Sequence, residues 1–441
     1  MQYDTIAAPI TGDGTGAVSI IRLSGEKAIE IADKIFNGRL LETKSRLLRY
    51  GKIIDKDKNI LDDCLAVKMV APSSYTGEDT VEFYLHGGKT VRECVLYELI
   101  SNGARIAERG EFTKRAFLNG KMDLTQAESV IDAINAPTKK ALTFAQKNLD
   151  GNLRKKVEKI RTAIIAVIMG IMAGNDFPDE TGGNDNKKII DTLQGVLIDA
   201  ETLCNTFSSG KIIRNGITCG IFGKPNVGKS SLLNAFLDED RAIVTEIAGT
   251  TRDVITEAID IGGYMVNIAD TAGLRESEDV VEKAGIEKTK KMMKEVDFSI
   301  YVLDATTDFD ENEAEKADIT VINKCDIKAP KLLSKKNVYN VSAKSKQGLD
   351  DLVKGLEIFI KEKIEAENSC EEMIFAERHY NSLQNGVNAL KRAVFTLENN
   401  YEPDIASIDL EDAAANMGEI TGQTVNDEVI DSIFKSFCIG K

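Results

Sequence analysis

The segment Gly223-Lys-Pro-Asn-Val-Gly-Lys-Ser230 constrains this chain more than any other. It satisfies the phosphate-loop pattern G-x-x-x-x-G-K-[ST] in full, between an apolar run at 217–222 and a helical stretch at 231–237. Strand, glycine-rich turn and helix in that order is the context the pattern needs, because the turn must aim successive backbone N–H groups at phosphate oxygens. Asn226, Val227, Gly228, Lys229, Ser230 and Ser231 are the expected phosphate contacts. Lys229 neutralises β and γ oxygens, and the Ser230 hydroxyl is offered to Mg²⁺.

Further motifs follow in a fixed order. Asp270-Thr-Ala-Gly273 ends the apolar run 264–269. An aspartate there can hold Mg²⁺, and the Gly273 amide can sense a γ-phosphate, so Asp270, Thr271, Ala272 and Gly273 join the expected nucleotide contacts. Asn323-Lys-Cys-Asp326 follows the strand-like 318–322. The Asp326 carboxylate can accept from guanine's ring N–H and exocyclic amine, a pair adenine does not present, so it selects GTP over ATP. Ser342-Ala-Lys344 follows 337–341 and can close over the base, with Asn323 and Lys324 beside it. Gly249-Thr-Thr-Arg-Asp253 lies between the first two motifs and supplies a threonine for the metal, and Thr245, Glu246, Ile247, Ala248, Gly249, Thr250 and Thr251 are expected nucleotide contacts. Together the motifs resemble a translation-factor-type, Ras-like GTPase domain.

One position alters the expected mechanism. Ras-like switches place a glutamine after D-x-x-G to orient the attacking water, and here Leu274 stands in its place. Glu276, Glu278, Asp279 and Glu282 read as a solvated face from which one acid is free to act. Asn226 has two readings of equal weight: a side-chain oxygen for a monovalent cation, or a residue stabilising the turn after Pro225.

At 441 residues two or three domains are expected. No apolar run reaches the length of a membrane span, and the N-terminal residues lack the basic-then-apolar pattern of a secretion signal, so no membrane association is expected. Seven cysteines form no C-x-x-C pair, which fits a reducing cytoplasm and no zinc site. The net charge of −15 carries no overall nucleic-acid footprint. The basic run 139–161 reads more readily as a solvated helix face than as an RNA site. Residues 365–441 hold fifteen acidic against five basic side chains. Residues 17–23, 65–70 and 80–85 read as strands, with helices at 24–36 and 91–100, giving an α+β module. Helical spacing dominates 122–206 and returns at 371–441, so a helical domain interrupted by the GTPase domain is expected. The fold class is therefore α/β and α+β multidomain. The expected boundaries are an α+β module at 1–119, a helical part at 120–210, the inserted GTPase domain at 211–362 and a second helical part at 363–441.

Three more stretches sharpen the picture. They are Ser73-Ser-Tyr-Thr-Gly-Glu-Asp79 with His86-Gly-Gly88, the run from Arg109-Gly-Glu-Phe-Thr-Lys-Arg to Gln126-Ala-Glu128, and the ending Ile433-Phe-Lys-Ser-Phe-Cys-Ile-Gly-Lys441. With the GTPase motifs these resemble the MnmE (TrmE) family of tRNA wobble-uridine modification GTPases over essentially the whole chain. The resemblance implies an N-terminal tetrahydrofolate-binding module that also makes a homodimer, and a cytoplasmic protein. It implies an FAD-containing flavoprotein partner, MnmG (GidA), in a heterotetramer acting on tRNA. The one-carbon donor would be 5-formyl- or methylene-tetrahydrofolate, held by Arg22, Glu82, Lys121 and Lys441. It further implies K⁺ on Asn226, Thr245, Ile247 and Thr250, with Ile247 serving through its carbonyl. Mg²⁺ would sit on Ser230 and Thr251, and Glu282 would position water. Cys438 is implied as a chemical participant.

Two other classes compete. A ribosome-assembly GTPase of the Era or Der type would carry a basic RNA-binding module or a second GTPase domain, and neither is found in the sequence. A folate-dependent aminomethyltransferase would have no need of residues 216–361.

Overall fold

A computed structural model of the chain describes residues 4–181, 183–237, 241–243, 255–269, 296–309, 317–331, 333, 335–365 and 373–441. They form two compact units, one of residues up to 131 with 418–441, the other of 132–417.

The first unit is built on a six-stranded sheet of β1 (Ile6–Pro9), β2 (Val18–Ser24), β3 (Arg49–Ile54), β4 (Ile60–Met69), β5 (Thr80–His86) and β6 (Arg105–Ile106), in the order β3-β4-β5-β2-β1-β6. The pairs are antiparallel except β1 with β6. Side chains alternate across a strand. Ile21 and Leu23 of β2 and Val81, Phe83 and Leu85 of β5 therefore fill the core against helices Ala28–Ile35 and Lys89–Ser101. The same alternation turns Arg22, Glu82 and Tyr84 to the other face. The predicted strands are present. β1 and β3 were not legible, because Ile-Ala-Ala-Pro and Arg-Tyr-Gly-Lys-Ile-Ile do not alternate cleanly. The first helix begins at Ala28 rather than Ser24, since Ser24 still pairs with Thr80 in the sheet and Gly25 turns at φ 137°.

Residues 418–441 return to this unit. Helix Asp427–Lys435, capped by the Asn426 side chain, packs Ile430 and Phe434 with Phe437 onto Leu124 and Ala127. Each buried phenylalanine contributes about 2 kcal/mol of apolar burial.

The second unit contains a seven-stranded sheet of β7 (Ile217–Phe222), β8 (Ala242–Ile243), β9 (Ile255–Ile261), β10 (Tyr264–Ala269), β11 (Phe298–Asp304), β12 (Ile319–Asn323) and β13 (Val338–Asn340). Their order is β13-β12-β11-β7-β10-β9-β8, with β7, β10, β11, β12 and β13 parallel. The near-continuous burial of β7, β10 and β12 is what parallel strands covered on both faces require. Helices from before and after this sheet in sequence pack on each other. Phe207 stacks on Tyr380 at 4.4 Å, Lys391 pairs with Glu201 at 2.7 Å, and Cys204 meets Gln384. The seven-stranded sheet thus lies in sequence between helices that pack on each other. Several cations of the basic run 139–161 make contacts within this unit: Lys156 and Lys159 pair with Asp199, Arg161 donates to the Ala414 carbonyl, and Lys140 caps the Tyr264 ring and hydroxyl. Among the described residues no helix is long and apolar enough to cross a membrane.

Candidate functional site

The nucleotide motifs converge at the carboxyl ends of β7, β11 and β12, the side of an open α/β sheet where ligands bind. The phosphate loop leaves β7 and enters helix Lys229–Leu237. Gly228 has φ 97°, and a Cβ there would lie 2.2 Å from Asn323 Nδ2, so only glycine fits between loop and base-recognition motif. Asn323 ties the motifs together: its Nδ2 donates to the Val227 carbonyl at 2.9 Å, and its Oδ1 accepts from the Ala343 N–H at 3.0 Å. Lys324 donates to the Asn226 carbonyl at 2.8 Å and to Asp304 at 2.5 Å. Burial pushes Asp304 up, but the Lys324 and Thr306 hydrogen bonds prevail and hold its carboxyl below the usual range. Phosphate loop, N-K-x-D and S-A-K therefore form one hydrogen-bonded frame.

Lys229 donates to the Gly223 and Lys224 carbonyls, both at 2.8 Å, and burial lowers its pKa. An ammonium held by carbonyls alone gains when a phosphate arrives. Asn226 is exposed at φ 62°, a conformation asparagine tolerates, and this gives it a backbone reason to be there. Ser230, Ser231, Asp326 and Lys344 are exposed, while Val227 and Ser342 are buried. Thr245, Glu246, Ile247, Ala248, Gly249, Thr250, Thr251, Asp270, Thr271, Ala272, Gly273, Leu274, Glu276, Glu278, Asp279 and Glu282 lie outside the described residues. Asp304 escaped sequence reasoning. Its signal was its place at the end of β11, opposite Asn323.

In the first unit Arg22 and Glu82 are direct cross-strand partners. Arg22 Nε and Nη2 both reach Glu82 Oε1 at 2.8 Å, and the Tyr84 hydroxyl donates to Glu82 Oε2 at 3.0 Å. Arg22 also lies over the Tyr75 and Phe112 rings. Burial, then the Glu82 charge, pushes the Tyr84 phenol up. Glu82 lines a cleft of about 540 Å³ with Tyr84, Tyr75, Arg46 and Lys121. Tyr84 and Tyr75 were not anticipated, although Glu82 and Tyr84 are two apart on one strand and so share a face.

The Ser73–Asp79 motif forms one wall of this cleft, and a buried polar network fixes it. Arg115, 2% exposed, pairs with Glu78 and Asp4. Ser24 bonds Thr76 and Glu78, each at 2.6 Å, and Asn119 donates to the Thr76 carbonyl. Such a network holds one geometry when its members are satisfied together. Lys121 donates to the Pro72 carbonyl at 2.9 Å.

The tail brings the last residue near Arg22. Phe112 N–H donates to the Lys441 carbonyl at 3.2 Å and Gly110 N–H to the Cys438 carbonyl at 3.3 Å, while Ile439 bridges Arg109. Gly440, at φ 94°, passes so close to Pro9 that a Cβ would stand 2.0 Å from its carbonyl oxygen. Burial, then the neighbouring Arg22 charge, pulls the Lys441 amine below the usual lysine range. Phe434 and Phe437 are the anchors and Ile433 is partly buried. Ile439 is 54% exposed, its backbone held by the bridge to Arg109. Cys438 is exposed and free.

Known proteins show the same layout. Residues 5–121 match the family model described as the GTP-binding protein TrmE N-terminus, and 124–438 the one described as the MnmE helical domain. The tRNA modification GTPase MnmE of Lachnoclostridium phytofermentans is 41% identical, with 100% of both chains covered. Those of Thermoanaerobacter sp. X514 and Thermoanaerobacter pseudethanolicus are 39% identical, again with 100% of both covered.

Proposed function

The chain belongs to the MnmE (TrmE) family of tRNA modification GTPases, and from that premise we propose a specific reaction for it. It hydrolyses GTP with Mg²⁺ and, with an FAD-containing partner of the MnmG (GidA) type, adds an aminomethyl or carboxymethylaminomethyl group to C5 of the wobble uridine of tRNA. It does so in the cytoplasm, as a homodimer within a heterotetramer.

The observation that carries the folate half is the clamped Glu82 carboxylate in a cleft that Lys121 also lines, with the Lys441 amine near the Arg22 that clamps it. A carboxylate fixed by Arg22 and Tyr84 suits the amine and ring N–H of a pterin, and the lysines suit carboxylates. Arg22, Glu82, Lys121 and Lys441 would hold 5-formyl- or methylene-tetrahydrofolate, which supplies a one-carbon unit when bound. Exposed Cys438, three residues before Lys441, is the nucleophile available beside it.

In the GTPase half, Lys229 and the loop amides bind the phosphates, and Asp326 reads guanine. Ser230 with Thr251 would hold Mg²⁺. Asn226, with its side chain free of the loop, would hold K⁺ with Thr245, Ile247 and Thr250, and the cation would supply positive charge to the transferring phosphoryl group. Glu282 orients water in place of the glutamine that Leu274 replaces. Mass analysis of tRNA nucleosides from cells lacking the gene tests the whole reading. The modified wobble uridine should vanish and return with the intact gene, but not with Glu82→Gln. An unchanged nucleoside profile in the null strain overturns it.

A further inference from the structure

Arg46 has no role in the reaction described so far, yet it is built into the same cleft. Its backbone is left-handed at φ 63°, uncommon for a side chain with a Cβ. Two contacts hold it there: its N–H donates to the Lys68 carbonyl at 2.8 Å, and its Nη2 donates to the Ser73 carbonyl at 2.9 Å. The neighbouring carbonyl, that of Pro72, holds Lys121. Two exposed cations are thus gathered on consecutive carbonyls of one wall, itself pinned by the Arg115 network. Among the described residues the Arg46 guanidinium makes one hydrogen bond to protein, to the Ser73 carbonyl, and Arg46 lines the cleft.

Register says how far this pair lies from Glu82. Glu82 pairs with Val67 of β4, and Arg46 bonds Lys68 from the turn before β3, on the other side of β4 from β5, about two strand spacings or ~10 Å away. A folate whose pterin meets Glu82 extends its aminobenzoyl-glutamate over a comparable distance. We propose that Arg46, with Lys121, forms a subsite for the glutamate carboxylates of the folate tail, and that the cleft therefore prefers folates carrying several glutamates. This rests on the folate reading above and adds a selectivity to it. Arginine suits the task because its planar fork meets a carboxylate through two N–H groups while a third stays on Ser73.

The test is the affinity of the full chain for 5-formyl-tetrahydrofolate with one and with three glutamates. The triglutamate should bind about tenfold tighter, the size of one well-formed charge-assisted contact. Arg46→Asn keeps a residue that tolerates positive φ, and should bring the ratio below about twofold. Arg46→Lys should fall between. The tighter binding should also weaken more steeply with KCl than that of the monoglutamate. A wild-type ratio near one, or a ratio that survives Arg46→Asn, overturns the proposal and leaves the folate reading intact. Failure of both folates to bind the wild-type chain overturns the folate reading and this inference with it.

Discussion

The nucleotide site and the N-terminal cleft are assembled in opposite ways. The nucleotide frame is made of short consecutive motifs, each at the end of a parallel strand, bolted together by Asn323 and Lys324. The cleft is lined by residues scattered from Arg46 to Lys121, with Glu82 clamped across the antiparallel register by Arg22, near which the tail returns past Pro9. A local motif tolerates change elsewhere in the chain; a dispersed site fails when any distant contributor is withdrawn. If that contrast is right, damage to the tail should separate the two activities cleanly.

The largest effect should come from deleting residues 437–441. The deletion removes Phe437, 1% exposed and 5.2 Å from Phe434 between ring centres, and removes Lys441 from beside Arg22. Wobble-uridine modification should drop below detection in a complemented null strain. GTP hydrolysis should stay within about threefold, since the phosphate loop and base-recognition motifs lie in the other compact unit. Equal loss of both would break the comparison. Gly440→Ala should give a weaker version, about tenfold in folate affinity, by forcing a Cβ onto the Pro9 carbonyl. Cys438→Ser isolates the thiol: modification lost with folate affinity kept marks it as chemical, and modification kept removes it from the reaction.

Next in size is Asp326→Asn, within the local site. Guanine's two donors would then face an amide, and GTP affinity should fall by roughly 10²- to 10³-fold while xanthosine triphosphate gains. Titration calorimetry decides it, and equal binding of ATP and GTP by the wild-type chain would refute base selection. The Asn323 frame should survive, because Asp326 is exposed and makes no frame contact among the described residues.

A smaller effect separates the two readings of Asn226. Its φ of 62° and its carbonyl bond to Lys324 account for an asparagine on backbone grounds alone. If it also binds K⁺, hydrolysis should run about tenfold faster in KCl than in NaCl, and Asn226→Ala should abolish the difference. Asn226→Gly keeps the positive-φ backbone while removing the side chain, so loss of the K⁺ effect in both variants assigns it to the side chain rather than to backbone strain. Glu282→Ala should lower kcat by about 10²-fold with KM nearly unchanged, as expected for a residue that orients water in the transition state.

What the sequence disclosed follows the same divide. The GTPase motifs were legible because each needs only its own strand and turn, and the buried runs 217–222 and 264–269 announce parallel strands. The residues proposed to hold folate were named through family resemblance. Their grouping needed the pairing of Arg22 with Glu82 and the path of the tail, neither of which has a local signature. Arg46 and Asp304 were missed for related reasons: one acts through a left-handed turn and the other through a partner twenty residues away.

The smallest expected effect is a dependence on pH, and its sign tests how Lys441 serves the cleft. Burial, then Arg22, holds its pKa below the 10.5 of an ordinary lysine. In the ligand-free chain the proton is therefore bound less tightly than in the unfolded chain. Lys441 weakens the fold while it is charged, below its folded pKa, and that penalty is relieved as pH rises to the unfolded value. A bound carboxylate has the opposite preference, because it favours the ammonium. Affinity for 5-formyl-tetrahydrofolate should thus be full at neutral pH and fall a few-fold as pH climbs through the Lys441 pKa, even as this residue's penalty on the empty fold lessens. Lys441→Arg, which does not titrate in this range, should hold affinity flat to higher pH. Arg22→Gln removes the neighbouring charge and should move the midpoint upward whatever it does to affinity at neutral pH. A midpoint indifferent to both substitutions would mean that Lys441 does not meet the ligand, and the tail would then serve the cleft through the packing of Phe434 and Phe437 alone.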